Sequence, residues 1–270
     1  MLPILPDTAW LEFRGASAKK GQNKTTHQAL VVDATGREHK CFVKASPDEY
    51  PMAFAEGLAW LLAEALDLPR PGFAALLVLP VQKLKLHMEL DQYWMHKQGA
   101  LAFCSSTVDG KHISSLWQWL AKLRQAKAFK HADLARIAAF DAWVDNQDRH
   151  TGNFLRTRGG EYVPIDNELV LYNLLWAPRG LTYNHNSLLG QAQGLLGGSG
   201  YTKFVDSVVV ASQKHDAAFL AAAPALQQFI DALNADPDPA TRAAFATAIL
   251  QFLGQRSQPD WVATQLGVIP

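Results

Sequence analysis

Cysteine is scarce in this chain, which has only Cys41 and Cys104 among its 270 residues. Both lie inside apolar runs and far apart in sequence, a pattern typical of buried, reduced thiols. The sequence therefore argues against a disulfide framework, and we expect a cytoplasmic protein.

Long hydrophobic runs and an excess of charge of one sign are also lacking. No stretch approaches the roughly 18 consecutive apolar residues that a membrane helix requires, and residues 1–13 lack the basic segment that begins a signal peptide. Lys plus Arg and Asp plus Glu number 25 each. Since no overall field steers the chain toward nucleic acid or an anionic membrane, we expect neither nucleic-acid binding nor membrane insertion.

Apolar residues are plentiful, at 49% of the chain, and they suffice for a sizeable core. The turn from Asp33 to Gly36 separates two apolar runs and predicts an antiparallel hairpin whose second strand ends at Lys44. Apolar residues at helical spacing then predict a helix that ends near Leu66. Beyond about residue 110 the patterns are mainly helical, so we expect an α+β fold with its strands concentrated in the first part. In the later part, Asp133 is expected to cap a helix, the glycine-rich residues 194–200 to form a loop, and Gly254 to end a helix.

The most informative segment runs from Asp141 to Leu155. Within it, Asp148 is followed after four intervening residues by Asn153, and a later apolar run ends at Asp166. A kinase catalytic loop needs an Asp that orients the acceptor hydroxyl, an Asn at this spacing for Mg²⁺, and a second Asp that bridges metal and phosphates. Two short strands predicted around residues 158–160 would bring Asn153 and Asp166 toward one point. That convergence is what a metal site needs.

Two upstream features suit the same chemistry. Glu56 follows Lys44 by 12 residues and can hold the lysine as strand–helix ion pairs do in kinases; a solvated helix glutamate is the alternative. The segment with Gly15, Ser17 and Gly21 can be a loop that covers phosphates, although its spacing fits an ordinary solvated basic loop equally well.

A resemblance to HipA-like serine/threonine kinases is carried by the residues NQDRHTGN from Asn146 to Asn153, followed by Ile165-Asp166. The same D-R-H-x-x-N pattern is similar to that of phosphatidylinositol 3- and 4-kinases. Upstream, the resemblance extends to the strand lysine in CFVKAS, the helix FAEGLAWLL and the segment LAFCSS, and it covers about residues 10–180.

The resemblance implies a two-lobed kinase-like fold, with a small β-rich nucleotide-binding lobe at residues 1–107 and a larger, mainly helical lobe with the catalytic loop at residues 108–270. It implies ATP and Mg²⁺ as cofactors and transfer of the γ-phosphoryl group to a hydroxyl, with Ser or Thr of a protein as the expected acceptor. If the chain is a toxin, as several HipA-like kinases are, an antitoxin partner is expected.

The resemblance also assigns roles to single residues. The implied roles are catalytic base or acceptor-orienting residue for Asp148, Mg²⁺ ligands for Asn153 and Asp166, phosphate contact for Lys44, and support of that lysine for Glu56. Ser17, in the candidate phosphate loop, is expected near the nucleotide as a site of autophosphorylation. One departure from the family pattern follows Asp166, where Asn167-Glu168 replaces the familiar glycine.

Other functions stay open at this point. A pseudokinase would bind nucleotide without transferring phosphate, and a metal-dependent phosphohydrolase or nuclease would use Asp148, His150, Asp166 and His185 as ligands. A phosphoinositide or small-molecule acceptor also remains open, because a short motif does not describe a substrate groove.

Overall fold

The computed structural model describes residues 2–16, 25–48, 50–112, 118–182, 185–234 and 236–268. The chain divides into two compact units, one formed by residues 1–57 and 71–108 and the other by residues 58–70 and 109–270. The first contains the larger sheet and the second contains most of the helices. This arrangement confirms the predicted α+β fold, while the functional assignment of 1–107 and 108–270 as nucleotide-binding and catalytic lobes remains a prediction.

The first unit is built on a six-stranded sheet with the order β1-β5-β6-β4-β3-β2. Its strands are β1 (Ile4–Leu5), β2 (Trp10–Ala16), β3 (His27–Val32), β4 (Glu38–Ala45), β5 (Ala74–Pro80) and β6 (Gly99–Ser106). Strands β1 and β5 pair in parallel, and all other neighbours are antiparallel. Helix α1 (Met52–Ala65) follows β4, and the short helix α2 (Val81–Leu84) follows β5.

The hairpin of β3 and β4 forms as predicted, and Asp33 organises its turn. The Asp33 carboxylate accepts hydrogen bonds from the N–H groups of Thr35 at 2.8 Å and Arg37 at 3.0 Å. Bonds from the Thr35 hydroxyl and from His39 hold the pKa of Asp33 below its ordinary value. Gly36 takes a φ of 85°, a conformation that favours glycine. The turn is thus closed by local contacts that the sequence pattern indicates.

In its described part, the second unit combines residues 58–65 of α1 and six further α-helices with a three-stranded antiparallel sheet of order β7-β8-β9. The strands are β7 (Gly110–His112), β8 (Phe154–Thr157) and β9 (Tyr162–Pro164). The helices are α3 (Gln118–Ala128), α4 (Ala132–Val144), α5 (Leu188–Ser212), α6 (His215–Leu233), α7 (Pro239–Arg256) and α8 (Trp261–Gln265). Over the described parts of the chain, none of the helices has the length and apolar character needed to span a membrane.

Helix α4 lies in the core of this unit, and its start differs from the prediction. His131 caps the helix, because its Nδ1 accepts the N–H of Asp133 at 3.3 Å. Asp133, predicted as the cap, instead lies in the first turn and accepts the N–H of Tyr162 on β9 at 2.9 Å. The carboxylate therefore ties the β8–β9 hairpin to α4.

Two predictions based on glycine residues in the C-terminal helical region were wrong. Residues 194–200 were predicted as a loop, but they belong to α5, which breaks at Gly197 where φ is 64° and ψ is 170°. Gly254 was predicted to end its helix, but α7 continues to Arg256. A Cβ atom at Gly254 would lie 3.1 Å from Cε1 of Phe219, so glycine here permits close packing of α7 against α6.

His215, the first residue of α6, is buried and stacks on Trp143 of α4 with ring centroids 4.8 Å apart. Trp143 is fixed in turn, because its Nε1 donates to the carbonyl of Leu253 at 2.9 Å. The Nδ1 atom of His215 is buried and has no hydrogen-bond partner within the part of the chain that the structure describes. Burial lowers the pKa of His215 to about 4, so the imidazole is neutral in the folded protein near pH 7.

We expect a His215→Phe variant to lose part of the acid sensitivity of the fold. The unfolded chain binds a proton at this histidine near pH ~6.5, whereas the folded protein binds it only near pH 4. The unfolded state therefore binds more protons between these values, and the free energy of unfolding falls on acidification by at most about 1.4 kcal/mol per pH unit. Phenylalanine keeps the ring contact with Trp143 but does not titrate.

Urea unfolding of the wild type and the variant at pH 7 and pH 4.5 measures this difference. His96→Gln, at an exposed position, is the control, and it should keep the acid sensitivity of the wild type. Equal losses of unfolding free energy in the wild type and His215→Phe would contradict the assignment.

Candidate functional site

Asp145 fixes the start of the loop between α4 and β8. Helix α4 is capped at its C-terminus by Asp145, which has a left-handed φ of 54°. The buried Asp145 carboxylate accepts the N–H of Asn173 at 2.8 Å and a bond from Nε2 of Gln147 at 2.7 Å. It also forms an ion pair with Arg256 of α7 at 3.3 Å. Burial lowers the pKa of Arg256, and the attraction of the Asp145 carboxylate opposes that shift.

Arg149 is the central residue of the loop and is completely buried. Its Nε donates to both carboxylate oxygens of Asp141 on α4, at 3.2 and 3.1 Å, and its Nη2 donates to one of them at 3.2 Å. Its Nη1 donates to the carbonyls of Asn153 at 3.0 Å and Ile165 at 2.5 Å. One guanidinium thus joins the helix, the end of the loop and the segment after β9.

This arrangement brings the backbone at Asn153 and Asp166 together. The N–H of Ile165 donates to the carbonyl of Asn153 at 2.9 Å, and Phe154 pairs with Pro164 in the β8–β9 register. Asp166 follows directly and has a φ of 64°, a conformation that Asp tolerates better than most residues. The two predicted Mg²⁺ ligands therefore flank the same end of one hairpin.

Asn167, which stands where the family pattern has glycine, has a contact of its own. Its Oδ1 accepts a hydrogen bond from Nη2 of Arg149. The side chain at this position therefore completes the set of acceptors around the buried guanidinium. A glycine could not supply this acceptor.

Three asparagine side chains form hydrogen bonds that orient Asp148. Its Oδ1 accepts a bond from Nδ2 of Asn186 at 2.8 Å, and its N–H donates to Oδ1 of Asn146 at 3.2 Å. Its carbonyl accepts Nδ2 of Asn153 at 2.8 Å. This bond uses the amide nitrogen of Asn153 and not its amide oxygen, which is the atom that a metal ion would bind.

Asn186 and Gln191 were not identified by the sequence analysis. Residues 147–149 and Asn186 form a short parallel bridge, since Asn186 N–H donates to Gln147 at 2.9 Å and Arg149 N–H donates to Asn186 at 3.1 Å. Gln191 accepts the N–H of Thr151 at 3.1 Å and donates to the carbonyl of Arg149 at 3.1 Å. In the sequence, these residues are indicated only by the polar stretch around His185, which does not match the spacing of a metal-binding motif.

Gly152 occupies a position without room for a side chain. A Cβ atom there would lie 2.7 Å from Cε1 of His150, whose Nδ1 accepts the Gly152 N–H at 2.9 Å. The Gly152 carbonyl lies 3.0 Å from Nδ1 of His112 on β7. The His150 imidazole therefore supports the loop through a backbone N–H.

The first unit contains the other predicted pair. Cys41, Val43 and Ala45 alternate along β4 with their side chains in the core, so Lys44 projects from the opposite face. Its Nζ donates to Oε1 of Glu56 at 2.7 Å, and the Glu56 side chain is only 3% exposed. Glu56 is therefore a buried ion-pair partner and not a solvated helix residue. Ser17 lies outside the described residues.

The donor set fits Mg²⁺ better than a metal held by many side chains. Asn153 and Asp166 supply hard oxygen atoms, and Mg²⁺ in proteins is held by one or two carboxylates with water and substrate phosphates completing its shell. Among the described residues no group of three or more His, Cys, Asp or Glu side chains is placed to bind a metal. The ligand set considered for a phosphohydrolase, which includes His150 and His185, is therefore not assembled.

Comparison with known proteins identifies no family. No protein-family model matches the chain, and no curated protein sequence matches it. Among solved structures, that of a Helicobacter pylori proinflammatory kinase, CtkA, is similar with 13% identity and a TM-score of 0.49, over 94% of this chain and 99% of that chain. A likeness at this level carries no conclusion about activity.

We expect Arg149→Lys to lower the free energy of unfolding by about 2 kcal/mol. A lysine keeps the charge but cannot bond simultaneously to a carboxylate and two carbonyls in the planar fork that arginine provides. Urea denaturation followed by circular dichroism measures the change.

Arg158→Lys is the matched control, because Arg158 pairs with Asp109 at the surface and its side chain is 89% exposed. Its effect should stay below about 0.5 kcal/mol. Equal effects of the two substitutions would show that the buried fork does not hold the loop.

Proposed function

We propose that this protein is a Mg²⁺- and ATP-dependent kinase that transfers the γ-phosphoryl group to a hydroxyl. The observation that carries the proposal is the loop itself. Buried Arg149 bonds to the carbonyl of Asn153 and to that of Ile165, which precedes Asp166, while Asn186 holds the carboxylate of Asp148. Phosphoryl transfer needs little covalent help from a protein, so rigid positioning of a few oxygen donors is the main catalytic requirement.

We assign Asp148 to orienting the acceptor hydroxyl and accepting its proton. Asn186 engages its Oδ1, and we assign Oδ2 to the hydrogen bond with the attacking hydroxyl. A carboxylate in this position orients the hydroxyl for in-line attack. It accepts the hydroxyl proton as the new oxygen–phosphorus bond forms and the bond between the γ-phosphorus and the departing ADP breaks. The bond from Asn186 restricts rotation of the carboxylate and so lowers the cost of reaching that geometry.

Asn153 and Asp166 are the residues that would hold Mg²⁺. The ion would offset the charge on the phosphate oxygens during transfer. We assign Lys44 to phosphate contact as well, and Glu56 keeps its ammonium group in place through their ion pair. The ion pair therefore supplies the Lys44 ammonium group in a fixed position within the first unit before the substrate binds.

We propose a protein Ser or Thr hydroxyl as the acceptor, on the strength of the NQDRHTGN signature and its resemblance to HipA-like kinases. An antitoxin partner belongs to the same proposal, as does autophosphorylation at Ser17. A phosphoinositide or small-molecule acceptor, and nucleotide binding without transfer, are the alternatives that the assay below separates.

We expect Asp148→Ala and Asp166→Ala each to lower phosphoryl transfer by at least about 100-fold. The assay follows label from γ-³²P-ATP with Mg²⁺, first with the protein alone and then with cell lysate, and circular dichroism checks the fold of each variant. Asp91→Ala, at an exposed position in the first unit, is the control and should retain wild-type transfer.

Label on the protein or on one lysate band that disappears in both variants supports a protein kinase, and mass spectrometry then tests Ser17. Label in the lipid or small-molecule fraction would change the acceptor. A rise in melting temperature with MgATP, without ADP formation or transfer, would indicate a pseudokinase. Near-wild-type turnover in either variant would mean that the roles are assigned wrongly.

Asn186 offers a finer test, because its Nδ2 contacts Asp148. We expect Asn186→Ala to lower kcat about tenfold and to leave the KM for ATP unchanged. Asn186→Asp places a second carboxylate beside Asp148, and like charges favour the protonated form. The acid limb of its kcat–pH profile should therefore move to higher pH, whereas that of Asn186→Ala should not. Identical profiles for the two variants would exclude a positioning role for Asn186.

A further inference from the structure

A groove of about 990 Å³ lies within the helical unit and includes no residue of the loop that carries Asp148. It is bordered by the turn after α1, the start of α4, the middle of α5 and the first residue of α6. Its volume is at the upper end of the range of ~300–1,000 Å³ that is usual for small-molecule sites. The groove is therefore large enough for an organic ligand.

The lining combines an apolar floor with positive charge. Leu66, Phe129 and Phe204 are among the apolar residues that line it. The described lining residues also include four permanently charged cations and one acid, Asp206. The cations are Lys130, Arg136, Lys203 and Lys214. For a chain with a formal net charge of zero, this is a local concentration of positive charge.

Three of these cations remain available to a ligand. Arg136 already donates to the carbonyls of Leu66 and Asp67. By contrast, Lys130, Lys203 and Lys214 are exposed, and they form no ion pair with any residue in the described parts of the chain. An anion in the groove would therefore gain lysine partners without displacing a carboxylate.

His215 provides the second, independent sign of a ligand. The residue lines the groove and is 1% exposed, and its Nδ1 has no hydrogen-bond partner among the described residues. A buried polar atom without a partner is uncommon and costly in native proteins. The ring is held in place by its stacking on Trp143, and a neutral imidazole protonated on Nδ1 can donate to a ligand oxygen.

We propose that this groove binds a small organic anion with an apolar body. Its anionic head is bound by Lys203, Lys214 and His215, and its body lies on the apolar floor that includes Phe129 and Phe204. A bare inorganic anion would leave the floor uncovered, and a neutral apolar molecule would leave the lysines unpaired. Only a ligand with both parts matches the two kinds of lining.

Three probes of equal chain length separate the contributions of charge and apolar area: octanoate, octyltrimethylammonium and octanol. We expect isothermal titration calorimetry to show saturable binding of octanoate at one site, with an affinity at least tenfold higher than that of the cation. Octanol should bind more weakly than octanoate, since it lacks the charge.

Charge-reversal substitutions in the full chain test whether octanoate binds in the groove. We expect Lys203→Glu/Lys214→Glu to weaken octanoate binding at least tenfold, whereas Lys122→Glu/Lys127→Glu should change it less than about twofold. The control changes the net charge equally, at two exposed α3 positions outside the groove. His215→Phe keeps an aromatic ring on Trp143 and should weaken binding about fivefold, through loss of one hydrogen bond.

Several outcomes would overturn the proposal. They are the absence of saturable octanoate binding at millimolar concentration, equal affinity for octanoate and octyltrimethylammonium, and equal weakening by the two double variants. Circular dichroism of each variant separates loss of the groove from loss of the fold. None of these measurements uses phosphoryl transfer, so failure of this proposal and failure of the kinase proposal are independent results.

Discussion

The ion pair of Arg149 and Asp141 is the constraint on which the candidate site depends. Removing a guanidinium from water is costly unless nearly all its donors find acceptors, and here a carboxylate, two backbone carbonyls and one side-chain amide oxygen provide them. Burial raises the pKa of Asp141, while the attraction of Arg149 opposes that rise. Because the acceptors come from α4, the loop and the segment after β9, the guanidinium can be satisfied only when all three are in place.

A second set of polar contacts holds the loop from distant parts of the chain. Gln191 bonds to it from the first turn of α5, and Asn186 does so from the segment just before that helix. Arg256 of α7 pairs with Asp145. Each contact on its own is worth little, since a typical hydrogen bond contributes about 1 kcal/mol. Together they fix several backbone and side-chain torsions around Asp148, which is the form of preorganisation that the proposed phosphoryl transfer would require.

Helix α4 links the features of the helical unit. Its first half contributes Ala135 and Arg136 to the groove, Asp141 pairs with the buried arginine, and Trp143 supports His215. Most of its residues are buried, so it has few positions that can change without disturbing a neighbour. The groove and the loop are thus built on the same rigid element.

Much of the fold could be read from local patterns. The β3–β4 hairpin, helix α1 and the β8–β9 hairpin all lie close to where turn residues and hydrophobic periodicity predicted them. The errors arose where a tertiary partner competed with a local signal. Asp133 bonds to Tyr162 instead of capping α4, and Gly254 permits contact with Phe219 instead of ending α7.

The sequence by itself determined the order and identity of the candidate catalytic groups, Asp148, Asn153 and Asp166, and it suggested the pairing of Lys44 with Glu56. Those signals are short-range, since they depend on spacing along a loop, a strand or a helix. Only the tertiary structure decided which side chains hold the catalytic groups in place, and Asn186, 38 residues from Asp148, is an example. The tertiary structure also decided which charged residues line the groove. Hydrogen bonds and charge clusters between distant segments depend on how the elements pack, and packing leaves no periodic trace in the sequence.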